Sequence, residues 1–516
     1  MLIAVGFNIA NPKLFGTLIK GANDWVLDHF GWMYTICAFC ALVLCVWILF
    51  SPFGRVRLGG TNAKPLMNWW DWFAITICTT IAVGILFWST AEPVKHYHGP
   101  PASLGIQAES PAAARFALAA LYHHWSFTPY AIYCVASLMF AFAHYNMRQP
   151  FSLGSTLAPI LGEQRAKDCG GVIDAVCLYS LVAGMAASLG TGILTISGGL
   201  ETLWGVPRSQ WVWAIITITI VTTFVVSSGT GLMKGIRILS DINAKGLLLL
   251  GLIVLVTGPT LYIFQSGIFA LGEYAKRFLQ LSLYTSLVAN DDWARDWSVF
   301  YWAVWLAWTP ITACFLGRIA YGRTVREFML VNFIFPAMFS IAWMAIFGAT
   351  TLHMEMQGAG LDKLMNQPVA ESVIEGQPNR ESASKAQTGT ESVSYAVLRS
   401  LPFGTLMVGF YLLAAFVCFV TSADSNTTAM ASISSRGVTL ENPEGDLRVK
   451  IAWGLLVGAT AWVMISFADV EGIRMISTLG GFPAAILLFL IMAALVHVML
   501  RHQHFNTIDN QQCNRY

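Results

Sequence analysis

Charge is what this 516-residue sequence has least of. Asp, Glu, Lys and Arg together make up 11% of it, against the roughly 25% usual for a soluble domain, while hydrophobic residues make up 56%. A water-soluble globule is excluded on that ground, and a net charge of +2 gives no reason to expect a nucleic-acid partner. Paired metal-ligand spacing is also missing. Most of the ten cysteines (Cys37, Cys40, Cys45, Cys78, Cys134, Cys177, Cys314, Cys418) lie inside apolar runs, so they read as small buried residues and not as a disulfide framework. The ten histidines form no ligand cluster outside the adjacent pair His123 and His124, which argues against a metal-dependent membrane enzyme. No filter sequence or ring of pore charge suggests a channel. The opening MLIAVGFNIANPKLF has no basic region and no small-residue cleavage site, so it does not read as a signal peptide.

What is present is apolar sequence of membrane-spanning length. Runs recur near 31–52, 69–91, 116–146, 170–200, 208–230, 244–266, 297–320, 325–350, 402–432, 449–469 and 476–500. With the opening stretch taken as the remnant of a first helix, the expectation is an all-α integral membrane protein of about 12 transmembrane helices. Residues 1–68 would hold the first two. A polar stretch at 354–400 reads as an outside loop, residues 272–289 as an interfacial helix within a 267–296 linker, and 501–516 as a short tail. Placing both termini in the cytoplasm puts 17 of the 30 Lys and Arg residues inside, among them Lys450, in the direction of the positive-inside rule for a cell (inner) membrane protein. The tail RHQHFNTIDNQQCNRY offers no basic helix to sense salt or anionic lipid, which favours nutrient uptake over osmotic import.

One run is unusually rich in rings. In DWSVFYWAVWLAWTP (296–310), helical spacing puts Trp297, Tyr301, Trp305 and Trp308 within about an 80° arc, with Trp302 some 60° further round. Trp297 and Trp302 fit an interfacial belt equally well. Trp305 and Trp308 lie deeper, beside Pro310, which withdraws a backbone donor and frees the Leu306 carbonyl. A second set repeats the recipe: HHWSFTPYAIY gathers Trp125, Tyr130 and Tyr133 around Pro129. Rings about a desolvated cavity hold a quaternary ammonium through their negative faces, each contact being worth about 2 kcal/mol. Elsewhere Thr421 and Ser422 set two hydroxyls side by side in an apolar helix with Asp424 following. Ion binding and helix–helix hydrogen bonding explain that pair equally well.

The DWSVFYWAVW stretch followed by RIAYGRTVRE (318–327) resembles the signature of the betaine/choline/carnitine transporters, with Ser298 in place of a usual Thr and Val304 in place of a Trp. STAEP (89–93), GLMKGIRILSD (231–241) and FVTSADS (419–425) resemble the same family in order and spacing. The resemblance implies two inverted five-helix repeats, at 69–266 and 297–500, working by alternating access around a midplane site. It implies a substrate cage of Trp125, Tyr130, Tyr133 and Trp305, with Trp308 in the access path, and a possible homotrimer among membrane lipid. It also implies a sodium ion between Thr421, Ser422 and the carbonyls of about Cys78 to Ala82, Cys78 and Ile81 among them. No other cofactor is implied. Asn243, where ion-independent carnitine exchangers carry an arginine, supports sodium coupling; TTIAVG (79–84), poor in glycine for a kink, argues the other way. Gly84 stands where choline carriers tend to have an acidic residue, so the cage is expected to be neutral and to take a zwitterion (glycine betaine, carnitine or γ-butyrobetaine) ahead of choline. Ion-independent carnitine/betaine exchange and choline uptake are the alternatives.

Overall fold

A computed structural model describes residues 11–81, 84–229, 232–286, 290–366, 389–435 and 446–506. Among them the chain is helical throughout and forms no strand, only an isolated bridge between Arg57 and Thr324. The long helices are α1 (Pro12–Phe50), α2 (Trp69–Ile81), α3 (Gly84–His98), α4 (Pro111–Trp125), α5 (Phe127–Ala141), α6 (Glu163–Trp204), α7 (Gln210–Gly229), α8 (Leu232–Thr257), α9 (Thr260–Ser282), α10 (Phe300–Ile319), α11 (Phe335–Met356), α12 (Gly404–Ser434) and α13 (Leu447–Leu500). Ten stretches are long and apolar enough to cross a membrane, or eleven if the bent pair α2 and α3 is one span.

Several boundaries differ from the hydropathy reading, each for a local reason. The first span, expected at 31–52, starts at Pro12 because Asn11 caps it, accepting the Leu14 N–H at 3.2 Å, and proline tolerates the first helical position. The opening residues 1–10, residues 367–388 of the 354–400 loop and the tail beyond 506 lie outside the described residues. The span expected at 244–266 ends at Thr257, where Gly258 and Pro259 follow, and the amphipathic helix expected at 272–289 is α9, which starts at Thr260. The run 116–146 is broken at Ser126, whose backbone is not helical (φ −112°, ψ −120°). Pro129 therefore sits in the first turn of α5, where its missing N–H costs little, and not within a continuous helix. The last two expected spans lie on one helix, α13, which still holds two separate stretches of spanning length, Leu447–Ser466 and Arg474–Leu500.

Burial places the centre of the molecule. The most apolar windows of 111–146 and 295–319 are 94% buried, against 33% in α7 and 39% in α8, which face outward. Helix α10 packs against α5, α6 and α13. Small residues allow that approach: a Cβ on Gly481 would lie 2.5 Å from the Ala303 carbonyl oxygen, and one on Gly480 would lie 2.5 Å from the Ala183 Cβ. The segment 318–327 forms the turn after α10. Gly322 (φ +78°) passes so close to Lys64 that a Cβ would meet its carbonyl carbon at 2.3 Å. The Arg323 guanidinium lies 4.9 Å from the ring centroids of both Trp69 and Trp72, and Arg326 donates to the carbonyls of Leu49 and Ser51. This motif therefore anchors the loop between α1 and α2, and it touches none of the cage rings.

Candidate functional site

At the centre α2, α3, α4, α5, α6 and α10 line a cavity of about 60 Å³. Its walls include Trp88 from α3, Trp125 from the end of α4, Tyr133 from α5, and Tyr301, Trp305 and Trp308 from α10. Trp305 is the hub, with its ring centroid 5.8 Å from that of Trp125 and 4.9 Å from that of Tyr133. A cavity of about 150 Å³ admits a benzene molecule, so these rings must part before a substituted ammonium fits between them.

Three of the four expected cage residues, Trp125, Tyr133 and Trp305, line this cavity together with Trp308, expected in the access path. Tyr130 does not. It packs behind Trp305 at 5.5 Å, fully buried, with its hydroxyl 2.9 Å from that of Ser340. Trp302 is no lipid-facing belt residue: it is 1% exposed, edge-on to His123 at 5.2 Å. Tyr301, Trp88 and Phe300 join the walls, the first two in edge contact at 5.9 Å. Gly84 has a steric role, since a Cβ there would lie 2.9 Å from the Trp125 six-membered ring. The glycine leaves room for that indole.

Sequence reasoning missed the group that holds these rings. Glu92, quoted only as part of STAEP, is fully buried. Its Oε2 accepts from the Trp125 indole N–H at 3.0 Å and the Tyr301 hydroxyl at 2.5 Å. Its Oε1 is 2.6 Å from His124 Nδ1 and 3.1 Å from His96 Nε2. The Trp293 indole, which can only donate, points at His96 Nδ1 at 3.2 Å. His96 Nδ1 is thus an acceptor, Nε2 carries the proton, and that proton goes to Glu92. Ring nitrogens and carboxylate therefore face each other as donor and acceptor. A carboxylate does stand behind the cage that Gly84 alone suggested was neutral, although no acidic side chain lines the cavity itself.

The expected ion ligands lie beside the same cavity, joined to it by Thr79 and Thr80 in its wall. Ser422 on α12 donates to the Thr79 carbonyl at 3.4 Å, and the Thr79 hydroxyl donates to Ser425 at 3.3 Å. Thr421 donates to the Val417 carbonyl of its own helix at 2.7 Å. Helix α2 ends at Ile81 and α3 starts at Gly84, with axes 56° apart; residues 82 and 83 lie outside the described residues. The Ile81 side chain and Ala82 lie outside the described residues. The Cys78 thiol points away, to the Ser240 carbonyl at 3.4 Å and toward Asn243. Asp424 also points away: its Oδ1 is 2.6 Å from Lys450 Nζ on α13, and its Oδ2 accepts from Ser227 at 2.8 Å. Lys450, counted above as a loop charge, is a buried partner of that carboxylate.

The model of the betaine/carnitine/choline family transporters matches residues 1–504. The chain belongs to that family. It is similar to the ectoine/hydroxyectoine transporter of Virgibacillus pantothenticus (29% identical over 500 residues, 97% of this chain and 94% of the relative). It is also similar to the glycine betaine transporter OpuD of Bacillus subtilis (30% over 496 residues, 95% and 91%). The high-affinity choline transport protein of Escherichia coli K12 is 28% identical over 473 residues, 92% of this chain and 66% of its own length. As a family member this chain is a multi-pass membrane transporter, and a role other than enzyme is consistent with these relatives.

Proposed function

We propose that this chain imports a quaternary-ammonium solute across the cell (inner) membrane by alternating access, with sodium as coupling ion. The observation that carries the reading is the ring cluster itself: Trp125, Tyr133, Tyr301 and Trp305 converge on one buried cavity whose lining holds no ionised side chain. A methylated nitrogen cannot donate ordinary N–H hydrogen bonds, and ring faces are the groups that attract it once water is excluded. Zwitterions such as glycine betaine, carnitine and γ-butyrobetaine are the first candidates, because they bring their own negative charge. The relatives' names cover a betaine, an ectoine and choline, so they support the class without choosing the member.

Sodium coupling is supported by the oxygen set on α2 and α12. The Thr79 carbonyl and the hydroxyls of Thr79, Ser422 and Ser425 gather around the end of α2, and Thr421 is one turn away. Hard cations take such oxygen ligands, and uncharged oxygens suit a monovalent ion. The positive-inside tally supports cytoplasmic termini. Uptake of labelled glycine betaine into proteoliposomes, with sodium or potassium as the only external cation, tests both parts. Uptake that needs sodium, and is lost in Trp305→Ala and made sodium-independent or abolished in Ser422→Ala, supports the reading. Sodium-independent exchange against internal betaine would establish the exchanger instead.

A further inference from the structure

A positive charge stands against the wall of the ring cavity. Arg474 on α13 holds its guanidinium 5.1 Å from the ring centroid of Phe300 and 5.5 Å from that of Trp297. Phe300 lines the cavity, and Trp297 lies three residues before it. We propose that Arg474 receives the carboxylate of the solute: its guanidinium pairs with that end of the molecule at the approach to the cavity, while the methylated nitrogen goes to the rings. The chain thereby selects solutes that carry a carboxylate over choline, which carries none. This rests on the cage reading above and adds a specificity-determining residue to it.

The inference starts from what the guanidinium lacks. An arginine side chain brings five N–H donors and a permanent charge. Arg474 is partly buried, its Nε is fully buried with no acceptor, and among the described residues no carboxylate forms an ion pair with it. The two rings attract its charge, but they do not accept its N–H groups as a carboxylate would. Taking such a group out of water without an anion is costly. Other arginines of this chain are supplied with one. Arg295, five residues before Phe300, bonds Asp28 at 2.6 Å and Asp24 at 3.0 Å, and Arg208 pairs with Glu201 and Glu391. Neighbouring carboxylates are already engaged: Asp291 accepts from the Tyr284 hydroxyl at 2.6 Å, and Glu92 accepts from Trp125 and Tyr301. A carboxylate from solution is the partner that the site lacks.

The placement suits a zwitterion. Trp88, another wall residue, meets both Phe300 and Trp297 at 5.9 Å, so the rings beneath the guanidinium pack directly against the wall of the cavity. The cavity is too small for a substituted ammonium until its rings part, and Phe300 and Trp88 are among those rings. Movement of Phe300 opens the wall on the side of Arg474. The planar guanidinium then offers paired donors that match the two oxygens of a carboxylate. In glycine betaine a single methylene joins carboxylate and nitrogen, so the two ends of one solute address neighbouring groups of the protein. Choline ends in a hydroxyl, which gains less from a guanidinium, and its only charge is repelled by one.

The test is titration calorimetry of the purified full chain with glycine betaine and, separately, with choline. Arg474→Gln should weaken glycine betaine binding about tenfold and leave choline binding unchanged, so that the ratio of the two affinities falls about tenfold. Arg474→Lys keeps the charge and loses the planar fork, so it should weaken glycine betaine alone and by a smaller factor; it also carries the test if the glutamine variant does not fold. Equal losses for both solutes, the result expected if Arg474 only ties α13 to α10 or pairs with a carboxylate of the chain itself, overturn the proposal. So does glycine betaine affinity that is unchanged in Arg474→Gln. Failure of both solutes to bind the unaltered chain would instead remove the cage reading.

Discussion

Among the buried carboxylates of the described residues, Asp424 and Glu92 are neutralised in different ways. Asp424 meets an ammonium, Lys450, and the pair links α12 to α13 with no net charge. Glu92 meets two N–H groups from imidazoles, one from an indole and a phenol hydroxyl, and no ammonium or guanidinium. The first is a tie between helices. The second is a negative charge wired to the walls of a cavity. Both are carboxylates and both are buried, so the donors decide which of them can act on a solute.

The sharpest way to break the comparison is to remove one partner at each site. Asp424→Asn strands a buried ammonium, and should cost about 3–5 kcal/mol, visible as a large drop in thermal midpoint of the purified protein. The double variant Asp424→Asn with Lys450→Met should recover most of that loss, because the stranded charge is gone. Glu92→Gln strands no ammonium, so it should cost less, about 1.5–3 kcal/mol for the charge-assisted bonds it weakens, and its main effect should appear in solute binding. Equal thermal losses in the two single variants would mean that the two carboxylates are held alike.

A smaller change isolates the wall from the charge. Gly84→Ala leaves Glu92 in place but puts a methyl group 2.9 Å from the Trp125 ring, so the indole must shift. Betaine affinity should fall about tenfold with little change in thermal midpoint, as measured by titration calorimetry.

A third carboxylate extends the comparison outside the spans. Burial raises the pKa of Asp291, but bonds from the Tyr284 hydroxyl (2.6 Å), from Ser103 and from the Trp293 N–H outweigh it and hold the carboxyl below its usual range. A depressed value means the stabilisation is complete above the ordinary carboxylate pKa and is lost as pH falls through the lowered one. Hydrogen-exchange protection around Tyr284 and Trp293 should therefore hold at neutral pH and decline only below about pH 4. This is the smallest of the expected effects, since the group is partly exposed.

The aromatic wall was legible in the sequence because rings at helical spacing and a family signature both point to Trp305, Trp308 and Trp125. The anion behind it was not. Glu92 is one carboxylate in an apolar run, and its partners His124, Trp125 and Tyr301 lie far along the chain, so no local pattern marks it. Lys450 was misread for the converse reason: a lysine near a helix end looks like a loop charge until the fold brings Asp424 to it. Tyr130 shares a face with Tyr133 in the sequence pattern, but the bond to Ser340 holds its ring behind Trp305. Helix existence followed from hydropathy. Helix ends followed from caps and breaks, such as Asn11, Ser126 and Pro259, that hydropathy does not weigh.

The central claim is that ring faces hold a positive methylated nitrogen. Titration calorimetry of the purified protein with glycine betaine and with its uncharged-headed isostere, 3,3-dimethylbutanoate, tests it directly, because the two differ only in a nitrogen replaced by carbon. Saturable binding of betaine with none of the isostere at the same concentrations is the expected result; equal affinity for both would show that the compartment recognises shape and not charge.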